Sequence, residues 1–447
     1  DVDPIGLIPS FGNFFLTVMA FIVALSIIVA IHEFGHYIVG RWSGIRAETF
    51  SIGFGPRIWS RMDRRGTRWQ IAAIPLGGYV KFLGDANAAS AGADETAMAR
   101  LSLEERRQTM HGAPLWARAA TVAAGPVFNF ILSILVFAAL FMIEGRETDQ
   151  PQVNEVVALP DGPGGLLPGD VILAIAGMPT TDFDALQKVV DSAPPEEQRQ
   201  YRVLRDGAEL EITGPVPFPA RAERVLAGSA AFDAGIKSGD VILSADGAPI
   251  ADFNGLRKAV EAAAGKPMTL RVWRNGEELD LQFAPRVTDT PNPDGTFTTG
   301  YKIGVLGSLA FTPVTERLPP HVAVGEGAVR TWGVAKSSLS AMWHIVTGAI
   351  STCNLRGPLT IAETSGAAAT EGFSDFFWFI AGLSTAVGLL NLFPIPMLDG
   401  GHLVFHAWEA IARRPPSDKA LNVLMTIGLA LVLALMVFGL TNDLRCP

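Results

Sequence analysis

Four uncharged apolar runs constrain this chain of 447 residues more than any other feature of its sequence. The runs cover residues 11–31, 119–143, 376–398 and 420–441. Because the hydrocarbon core of a bilayer is about 30 Å thick, a helix needs roughly 20 apolar residues to cross it. The sequence therefore predicts four transmembrane helices.

A fifth apolar stretch, residues 322–353, is interrupted by charged and polar side chains. These are Glu326, Arg330, Lys336 and His344. Amphipathic helices of this kind lie in the membrane interface and do not cross the bilayer. We therefore predict an interfacial helix in this stretch.

Basic residues orient the predicted spans. Residues 41–114 contain 11 Lys and Arg, and the short loop between the third and fourth spans adds Arg413, Arg414 and Lys419. Loops rich in Lys and Arg tend to stay on the cytoplasmic side of a membrane. Residues 144–375 are then predicted to lie on the opposite side.

Composition argues against several classes of protein. The formal net charge is −9, and residues 146–290 alone hold 23 acidic and 14 basic residues, whereas the rest of the chain is balanced. An acidic block of this kind repels phosphates, so we predict no nucleic-acid partner. With only Cys353 and Cys446, the chain cannot build a cysteine-based zinc or iron–sulfur site. Metal chemistry must then use His and carboxylates.

An internal repeat occupies the acidic block, where residues 167–173 match residues 237–243. Each copy is predicted to form a strand, a turn, a short helix and a hairpin. The hairpin turns, Asp206-Gly207 and Asn275-Gly276, favour type I′ geometry. The two copies resemble tandem PDZ domains, which bind extended peptides by strand addition. Modules that act only as spacers remain an equal alternative.

The chemistry of the chain is predicted to lie in His32-Glu33-Phe34-Gly35-His36, at the cytoplasmic end of the first span. Two imidazoles four residues apart share one helical face and can hold one metal ion. Glu33 lies beside that face, placed to take a proton from the attacking water. Ionisable groups inside a span are costly and mark functional sites, so histidines that merely bond backbone carbonyls are the weaker interpretation.

Two histidines leave a catalytic zinc one protein ligand short. The end of the third span supplies Asp399, the only acid in a segment that Pro394 and Pro396 break. The first and third spans run in the same direction, so both motifs reach the same leaflet. We predict Asp399 as the third ligand, with His402 as the alternative.

Two further segments are candidates for substrate binding. Broken backbone at membrane depth is tolerated where it lines a wet cavity, and Asn391 there would contact a substrate carbonyl or bond a neighbouring helix. Residues 49–81 alternate polar and apolar positions around a turn, which predicts a β-hairpin that dips toward the membrane. A soluble hairpin is the alternative.

Taken together, these features resemble the site-2 protease family of intramembrane zinc metalloproteases, of the bacterial regulator-of-sigma-E protease type. The resemblance rests on the first-span motif, on Gly125, Pro126 and Asn129 in the second span, on residues 391–400, and on the tandem PDZ insertion. It covers nearly the whole chain.

The resemblance implies a Zn²⁺ cofactor and a set of site residues. The implied zinc ligands are His32, His36 and Asp399, and the implied general base is Glu33. The implied substrate-binding residues are Asn391, Pro394 and Pro396, with Gly53, Phe54 and Gly55 of the hairpin as a clamp that adds the substrate as a strand.

The resemblance also implies partners and a location. The substrates would be single-span membrane proteins in the lipid bilayer, such as an anti-sigma factor trimmed by another protease, or remnant signal peptides. The PDZ domains would lie in the periplasm and act as a size filter, and the chain would lie in the bacterial inner membrane.

Two other classes of function remain as alternatives. A metal or ion transporter also places His and Asp at broken helices, but the four spans contain no detectable inverted repeat. A non-proteolytic PDZ scaffold is the second alternative, although it has no need of Glu33 beside two histidines.

The predicted fold is a polytopic α-helical membrane protein with four transmembrane helices, a membrane-associated β-hairpin and two extracytoplasmic α+β PDZ domains. Its predicted segments are the first span (1–40), the hairpin and loop (41–114), the second span (115–145), the PDZ domains (146–218 and 219–290), a linker with the interfacial helix (291–375), the third span (376–405) and the fourth span (406–447). His111, His321, His344 and His406 are interpreted as surface or interfacial histidines.

Overall fold

The structure, a computed structural model, describes residues 11–85, 94–226, 228–292 and 296–446. Parts of five predicted segments lie outside the described residues, namely residues 1–10, 86–93, 227, 293–295 and 447. The chain divides into two compact units. The membrane unit comprises the residues up to Leu140, Pro320–Trp343 and Leu355–Asp443, and the insert unit comprises Phe141–Pro319, His344–Asn354 and Leu444–Pro447.

The described residues contain 12 α-helices. They are α1 (Phe11–Trp42), α2 (Glu95–Arg100), α3 (Leu103–Arg107), α4 (Leu115–Ile143), α5 (Phe183–Ser192), α6 (Ala230–Asp233), α7 (Phe253–Ala263), α8 (Pro320–Val346), α9 (Pro358–Glu371), α10 (Phe373–Asn391), α11 (Asp399–Ala412) and α12 (Asp418–Arg445).

The same residues contain 18 strands, most of them short. They are β1 (Ala47–Met62), β2 (Arg68–Phe82), β3 (Arg146–Glu147), β4 (Val153–Val156), β5 (Val171–Ile175), β6 (Met178–Pro179), β7 (Gln200–Arg205), β8 (Ala208–Thr213), β9 (Arg224–Val225), β10 (Val241–Ala245), β11 (Ala248–Pro249), β12 (Met268–Arg274), β13 (Glu277–Phe283), β14 (Arg286–Pro291), β15 (Phe297–Lys302), β16 (Val305–Leu306), β17 (Phe311–Pro313) and β18 (Thr315–Glu316).

Four helices among the described residues are long and apolar enough to cross a membrane, which confirms the four predicted spans. They are Phe14–Trp42, Leu115–Ile143, Phe373–Asn391 and Lys419–Arg445. The third ends at Asn391, earlier than the predicted residue 398. Pro394 and Pro396 cannot continue a helix, and the chain becomes helical again only at Asp399.

Small and polar side chains hold the spans of the membrane unit together. A methyl group at Gly35 of α1 would lie 2.5 Å from the Ala124 carbonyl oxygen of α4, so these two helices meet in backbone contact. Between α4 and α10, Ser133 donates to the Ala381 carbonyl (2.8 Å) and Ser384 donates to the Asn129 carbonyl (2.9 Å). Lipid provides no hydrophobic drive between helices, so such contacts set their packing.

The predicted hairpin is present as β1 and β2, and it folds back on itself. Ser51 in the first half of β1 is in register with both Gln70 and Tyr79, which belong to opposite halves of β2. The turn is held by Asp63, which accepts hydrogen bonds from the backbone of Arg65 and Thr67 and from Trp69 Nε1. Burial alone would raise the pKa of Asp63, but these hydrogen bonds lower it, so the carboxylate stays ionised.

The two matching segments of the insert unit contain the same elements in the same order. The strand orders are β6-β5-β7-β8 and β11-β10-β12-β13. Helix α5 begins after Asp182 and α7 after Asp252, and each aspartate side chain caps its helix by accepting from a backbone N–H. Both hairpin turns have positive φ at their two central residues, as type I′ turns require.

A buried ion pair recurs at the same place in each segment. Asp170 and Asp240 are fully buried, and each accepts both guanidinium contacts of one arginine, Arg205 or Arg274. In each case the arginine also donates to a backbone carbonyl. The ion pairs therefore tie β5, which follows Asp170, to β7 in the first segment, and β10, which follows Asp240, to β12 in the second.

Residues 291–375 contain more structure than the predicted linker with one interfacial helix. The structure has strands β15 to β18 and helix α9 there in addition to α8. Strands β16 to β18 have only two or three residues each, which is too short for a hydrophobic periodicity to reveal them. Helix α9 begins where Asp443 of α12 accepts from the backbone of Gly357 and Leu359, a contact with no local sequence signal.

Cys353 and Cys446, left open by the sequence, form a disulfide in the insert unit with their Cα atoms 5.6 Å apart. The segment that carries Cys353 is fixed by Asp289, which accepts from the Ser351 backbone (2.8 Å) and from Asn354 Nδ2 (2.7 Å). Disulfides of this kind persist in oxidising compartments.

The buried pair gives a test of the second segment. We expect Asp240→Ala to destabilise it by about 1–3 kcal/mol, because Arg274, whose side chain is 24% exposed, loses the buried carboxylate that accepts both of its guanidinium contacts. Protection of amide hydrogens in β10 and β12 of the full-length protein would report the loss. The matched control is Asp280→Ala, whose pair with Arg271 is more than half exposed and should change protection little. Equal losses in both variants would contradict this account.

Candidate metal centre

Three side chains from two separate helices meet at one point of the membrane unit. His32 and His36 lie one turn apart on α1, and Asp399 is the first residue of α11. Their candidate ligand atoms all lie within 4.8 Å of one another, and among the described residues no other group of at least three His, Cys, Asp or Glu does so. Sequence-distant groups are thus brought together as predicted, although the sequence alone could not fix the distance.

The donor set and its spacing fit a zinc ion. The two histidine Nε2 atoms are 3.2 Å apart, His32 Nε2 is 3.1 Å from Asp399 Oδ2, and His36 Nε2 is 3.5 Å from Asp399 Oδ1. Ligand atoms of a tetrahedral zinc with bonds of about 2.0–2.1 Å lie about 3.3 Å apart. Asp399 Oδ2 is also buried without a hydrogen-bond partner, as expected of an atom that has a metal to bind.

The outer ring nitrogens of both histidines are held by α4. His36 Nδ1 donates to the Thr121 carbonyl oxygen at 2.8 Å. His32 Nδ1 lies 3.2 Å from the side-chain amide of Asn129, whose Oδ1 is buried and unpaired. If Nε2 of His32 binds a metal, Nδ1 must carry the proton, and a flip of the Asn129 amide would then bring Oδ1 to accept it. Such contacts fix the tautomer and the ring orientation of a ligand.

Glycines let the backbone of other elements reach the histidine helix. A methyl group at Gly125 of α4 would overlap His36 Nε2 and lie 2.8 Å from His32 Cε1. A methyl group at Gly78 of β2 would lie 3.1 Å from Glu33 Cγ. Any other residue at either position would push a neighbouring element away from the site.

Asp399 is placed by the break between α10 and α11. Gly400 packs directly on the carbonyls of Leu392 and Phe393, where a side chain would overlap both. Helix α12 supports the same break, because Gly428 lies against Pro396 and Met397 so closely that a methyl group there would be 2.9 Å from the Met397 nitrogen. The position of Asp399 therefore depends on two glycine contacts.

A cavity of about 690 Å³ opens on the three side chains and on Glu33. Of the predicted substrate-binding residues, Asn391 and Phe54 line this cavity, whereas Gly53, Gly55, Pro394 and Pro396 do not. His402, the alternative third ligand, lies on the cavity wall but outside the three-residue group.

The same cavity contains polar residues that no sequence motif connects with the metal-binding group. Arg118 of α4 forms a bidentate ion pair with Glu409 of α11, at 2.6 and 3.0 Å. His111 and His406, interpreted from sequence as surface or interfacial, line the cavity as well. Burial, with Arg118 nearby, lowers the pKa of His406 to about 4, so this ring is neutral at physiological pH. In the sequence, only the spacing of His402, His406 and Glu409, which puts them on one face of α11, could have indicated that these residues line one wall of the cavity.

Two imidazoles and a carboxylate around one point, with a second carboxylate beside them, match the donor set and the base that a zinc peptidase uses. The helix that carries the two imidazoles is one of the four candidate membrane spans. The chain belongs to peptidase family M50, the site-2 protease family, whose sequence profile matches residues 20–435.

Relatives extend over nearly the whole chain. A putative zinc metalloprotease of Agrobacterium fabrum is 39% identical over 438 residues, which cover 96% of each chain. The regulator of sigma-E protease RseP of Salmonella typhimurium is 35% identical over 457 residues, which cover 95% of this chain and 97% of that protein. The family, the zinc cofactor and the metalloprotease activity predicted from the sequence are thus confirmed, and the transporter and scaffold alternatives are not supported.

The contact at Gly125 gives a second test. We expect Gly125→Ala to lose bound zinc and peptidase activity while the protein remains helical, because the added methyl group overlaps His36. Metal analysis and circular dichroism of the purified protein measure the two quantities. Gly382→Ala in α10 is the matched control, since a methyl group there has no neighbour within 4 Å. Retention of a full complement of zinc by Gly125→Ala would show that the helices can separate without loss of the site.

Proposed function

We propose that this zinc metalloprotease hydrolyses peptide bonds within the transmembrane segments of single-span membrane proteins, as a step of regulated intramembrane proteolysis. The observation that carries the proposal is the position of the ligands. His32 and His36 lie inside the candidate span Phe14–Trp42, and Asp399 meets them there from the end of the broken third span. A peptidase site at that depth serves substrates that reach it within the bilayer.

In this proposal His32, His36 and Asp399 hold the zinc, and Glu33 is the general base. The bound zinc supplies Lewis-acid chemistry, polarising the scissile carbonyl and making water more acidic. Glu33 takes the proton from the attacking water and delivers it to the leaving amide nitrogen. Asn129 and the Thr121 carbonyl keep the two imidazoles oriented toward the zinc.

Substrate binding is proposed at the sheet edge beside Glu33. A transmembrane helix protects its peptide bonds with its own hydrogen bonds, so it must unwind and find other partners before it is cut. Gly78, Tyr79 and Val80 of β2 and Phe54 of β1 line the cavity, so an unwound segment could pair there as an added strand. Asn391 faces the same cavity and is proposed to contact the substrate backbone.

The two segments of the insert unit are proposed to be PDZ domains. The two segments share one strand order, and each has its helix in the same place, α5 between β6 and β7 and α7 between β11 and β12. Both features support this proposal. They would admit substrates whose outer domain has already been removed, such as a trimmed anti-sigma factor or a remnant signal peptide. Relatives include a regulator of sigma-E protease, which supports this substrate class.

The proposed location is the bacterial inner membrane, with the insert unit in the periplasm. The 11 Lys and Arg of residues 41–114 favour the cytoplasmic side for that loop. The Cys353–Cys446 disulfide belongs to the insert unit and favours an oxidising compartment for it. Two independent features thus support the same orientation.

Glu33→Gln tests the proposed base. We expect cleavage of a single-span substrate to fall by about 100- to 10,000-fold, with zinc content unchanged, because the amide keeps the shape of the side chain but cannot accept the proton. Mass spectrometry of the products from the wild type should place the cut inside the transmembrane segment. A cut confined to residues outside the bilayer would contradict the proposed function even if Glu33 proved to be the base.

A separate comparison tests the third ligand. Asp399→Ala should lose zinc, whereas His402→Ala should keep it, because only Asp399 lies within the three-residue group. Metal analysis of the two purified variants, beside His32→Ala as a reference for a lost ligand, distinguishes them. The reverse pattern would transfer the ligand role to His402.

A further inference from the structure

The hairpin extends into an arm whose first strand is exposed on both faces. We define the hairpin arm as residues 54–74. The last nine residues of β1, 54–62, are all exposed, although alternate residues of a strand point to opposite faces. Ile58 is 71% exposed, Trp59 51% and Met62 55%. Apolar side chains on both faces of one strand indicate that something outside the described chain covers them.

The arm is also strongly basic. It contains one acid, Asp63, and five exposed arginines, Arg57, Arg61, Arg64, Arg65 and Arg68. Across the described segments of the chain, none of these five arginines forms an ion pair, and the carboxylate of Asp63 is engaged by the turn backbone, Trp69 and Arg41. The arm therefore carries five arginines without an ion-pair partner among the described residues, and with Asp63 its net charge is +4.

Exposed tryptophans stand at the ends of the two candidate spans on either side of the hairpin. Trp42 at the end of α1 and Trp116 at the start of α4 are 73% and 65% exposed. Both stand at the ends of candidate spans from which the hairpin and its loop emerge. Tryptophans in such positions mark the headgroup level of a membrane. The arm begins 12 residues beyond Trp42, as the continuation of β1, and it carries an exposed tryptophan of its own, Trp59.

We propose that the hairpin arm docks on anionic lipid headgroups of the membrane that its own helices cross. The arginines contact lipid phosphates, and Ile58, Trp59 and Met62 enter the boundary between headgroups and acyl chains. Clusters of Lys and Arg immediately beside a transmembrane helix bind anionic lipid in this way, and apolar side chains between them add buried area.

Charge selects this occupant over the others. Two copies packed arm to arm would set one basic arm against another, and the acidic residues 146–290 of a second copy are predicted to lie on the opposite side of the membrane. A substrate helix is apolar and gives the arginines no partner. Only a surface of closely spaced anions neutralises all five arginines while it also accepts the apolar side chains between them.

The docking would bear on the metal centre, because the arm and the site share strands. The arm continues through β1 and β2 into Gly78, which lies against Glu33. Lipid that holds the arm would thereby hold the sheet edge proposed to receive the substrate. This consequence rests on the proposed function, whereas the docking itself does not.

The test uses the full-length protein in nanodiscs, with a probe on the arm. Cys353 and Cys446 are bonded to each other, so Ile58→Cys supplies a single free thiol for an environment-sensitive fluorophore. We expect its emission to shift to the blue in discs of phosphatidylcholine with phosphatidylglycerol, compared with phosphatidylcholine alone. The shift should shrink between about 0.01 M and about 1 M salt, as the Debye length falls from about 30 Å to about 3 Å.

A charge variant and a matched control complete the test. Arg57→Gln, Arg61→Gln, Arg64→Gln and Arg65→Gln together should abolish the lipid-dependent shift. The control removes the same charge from exposed positions of the insert unit, with Lys237→Gln, Arg257→Gln, Lys258→Gln and Lys266→Gln, and should retain it. Equal emission in neutral and anionic discs, or a shift that persists in the charge variant, would overturn the proposal. So would a blue shift in detergent that depends on protein concentration, since a second copy would then cover the arm.

The readout is fluorescence, so it does not depend on peptidase activity. A chain that cuts no single-span substrate would still show the lipid-dependent shift if the arm docks as proposed. A chain whose arm ignores lipid charge could equally remain a peptidase. The two proposals therefore fail separately.

Discussion

The approach of α1 to α4 without intervening side chains is the constraint on which the site depends. Gly35 meets the α4 backbone, and Gly125 lies against both histidine rings. This contact lets the Thr121 carbonyl reach His36 and lets Asn129 reach His32. Larger residues would separate the helices and leave two imidazoles without outer partners in an apolar environment, where an unsatisfied polar group is expensive.

A chain of polar contacts extends from that crossing to the third span. Asn129 contacts His32 through its side chain and accepts from Ser384 of α10 through its carbonyl. Helix α10 then leads to the break that presents Asp399. Helix α4 thus connects the two histidines with Asp399, although they come from segments more than 360 residues apart. Polar side chains between spans act here as structural links.

The sequence revealed those parts of the fold that have a local signature. Runs of apolar residues gave the four spans, and the spacing of His32 and His36 gave one face of a metal site, because each pattern is set by the geometry of a single helix. Asp399 followed from topology, since it is the only acid where a parallel span breaks. These predictions needed no knowledge of how the helices pack.

Other parts depend on contacts between distant segments and had no such signature. The wall formed by Arg118 and Glu409 joins residues of α4 and α11 that are 291 positions apart. The start of α9 depends on Asp443 near the end of the chain, and the disulfide has no spacing rule. Gly53 and Gly55 were predicted to reach the substrate, yet they do not line the cavity. Gly53 instead packs against the carbonyls of Ala72 and Ile74.

The contact of Gly428 with Pro396 and Met397 has a consequence for biosynthesis. Helix α12 is the last of the four candidate spans to be made, and it packs against the bend that carries Asp399. Until α12 enters the bilayer, that bend lacks its neighbour and Asp399 lacks its support. A growing chain would therefore stay inactive toward other membrane proteins nearby until its final helix is in place.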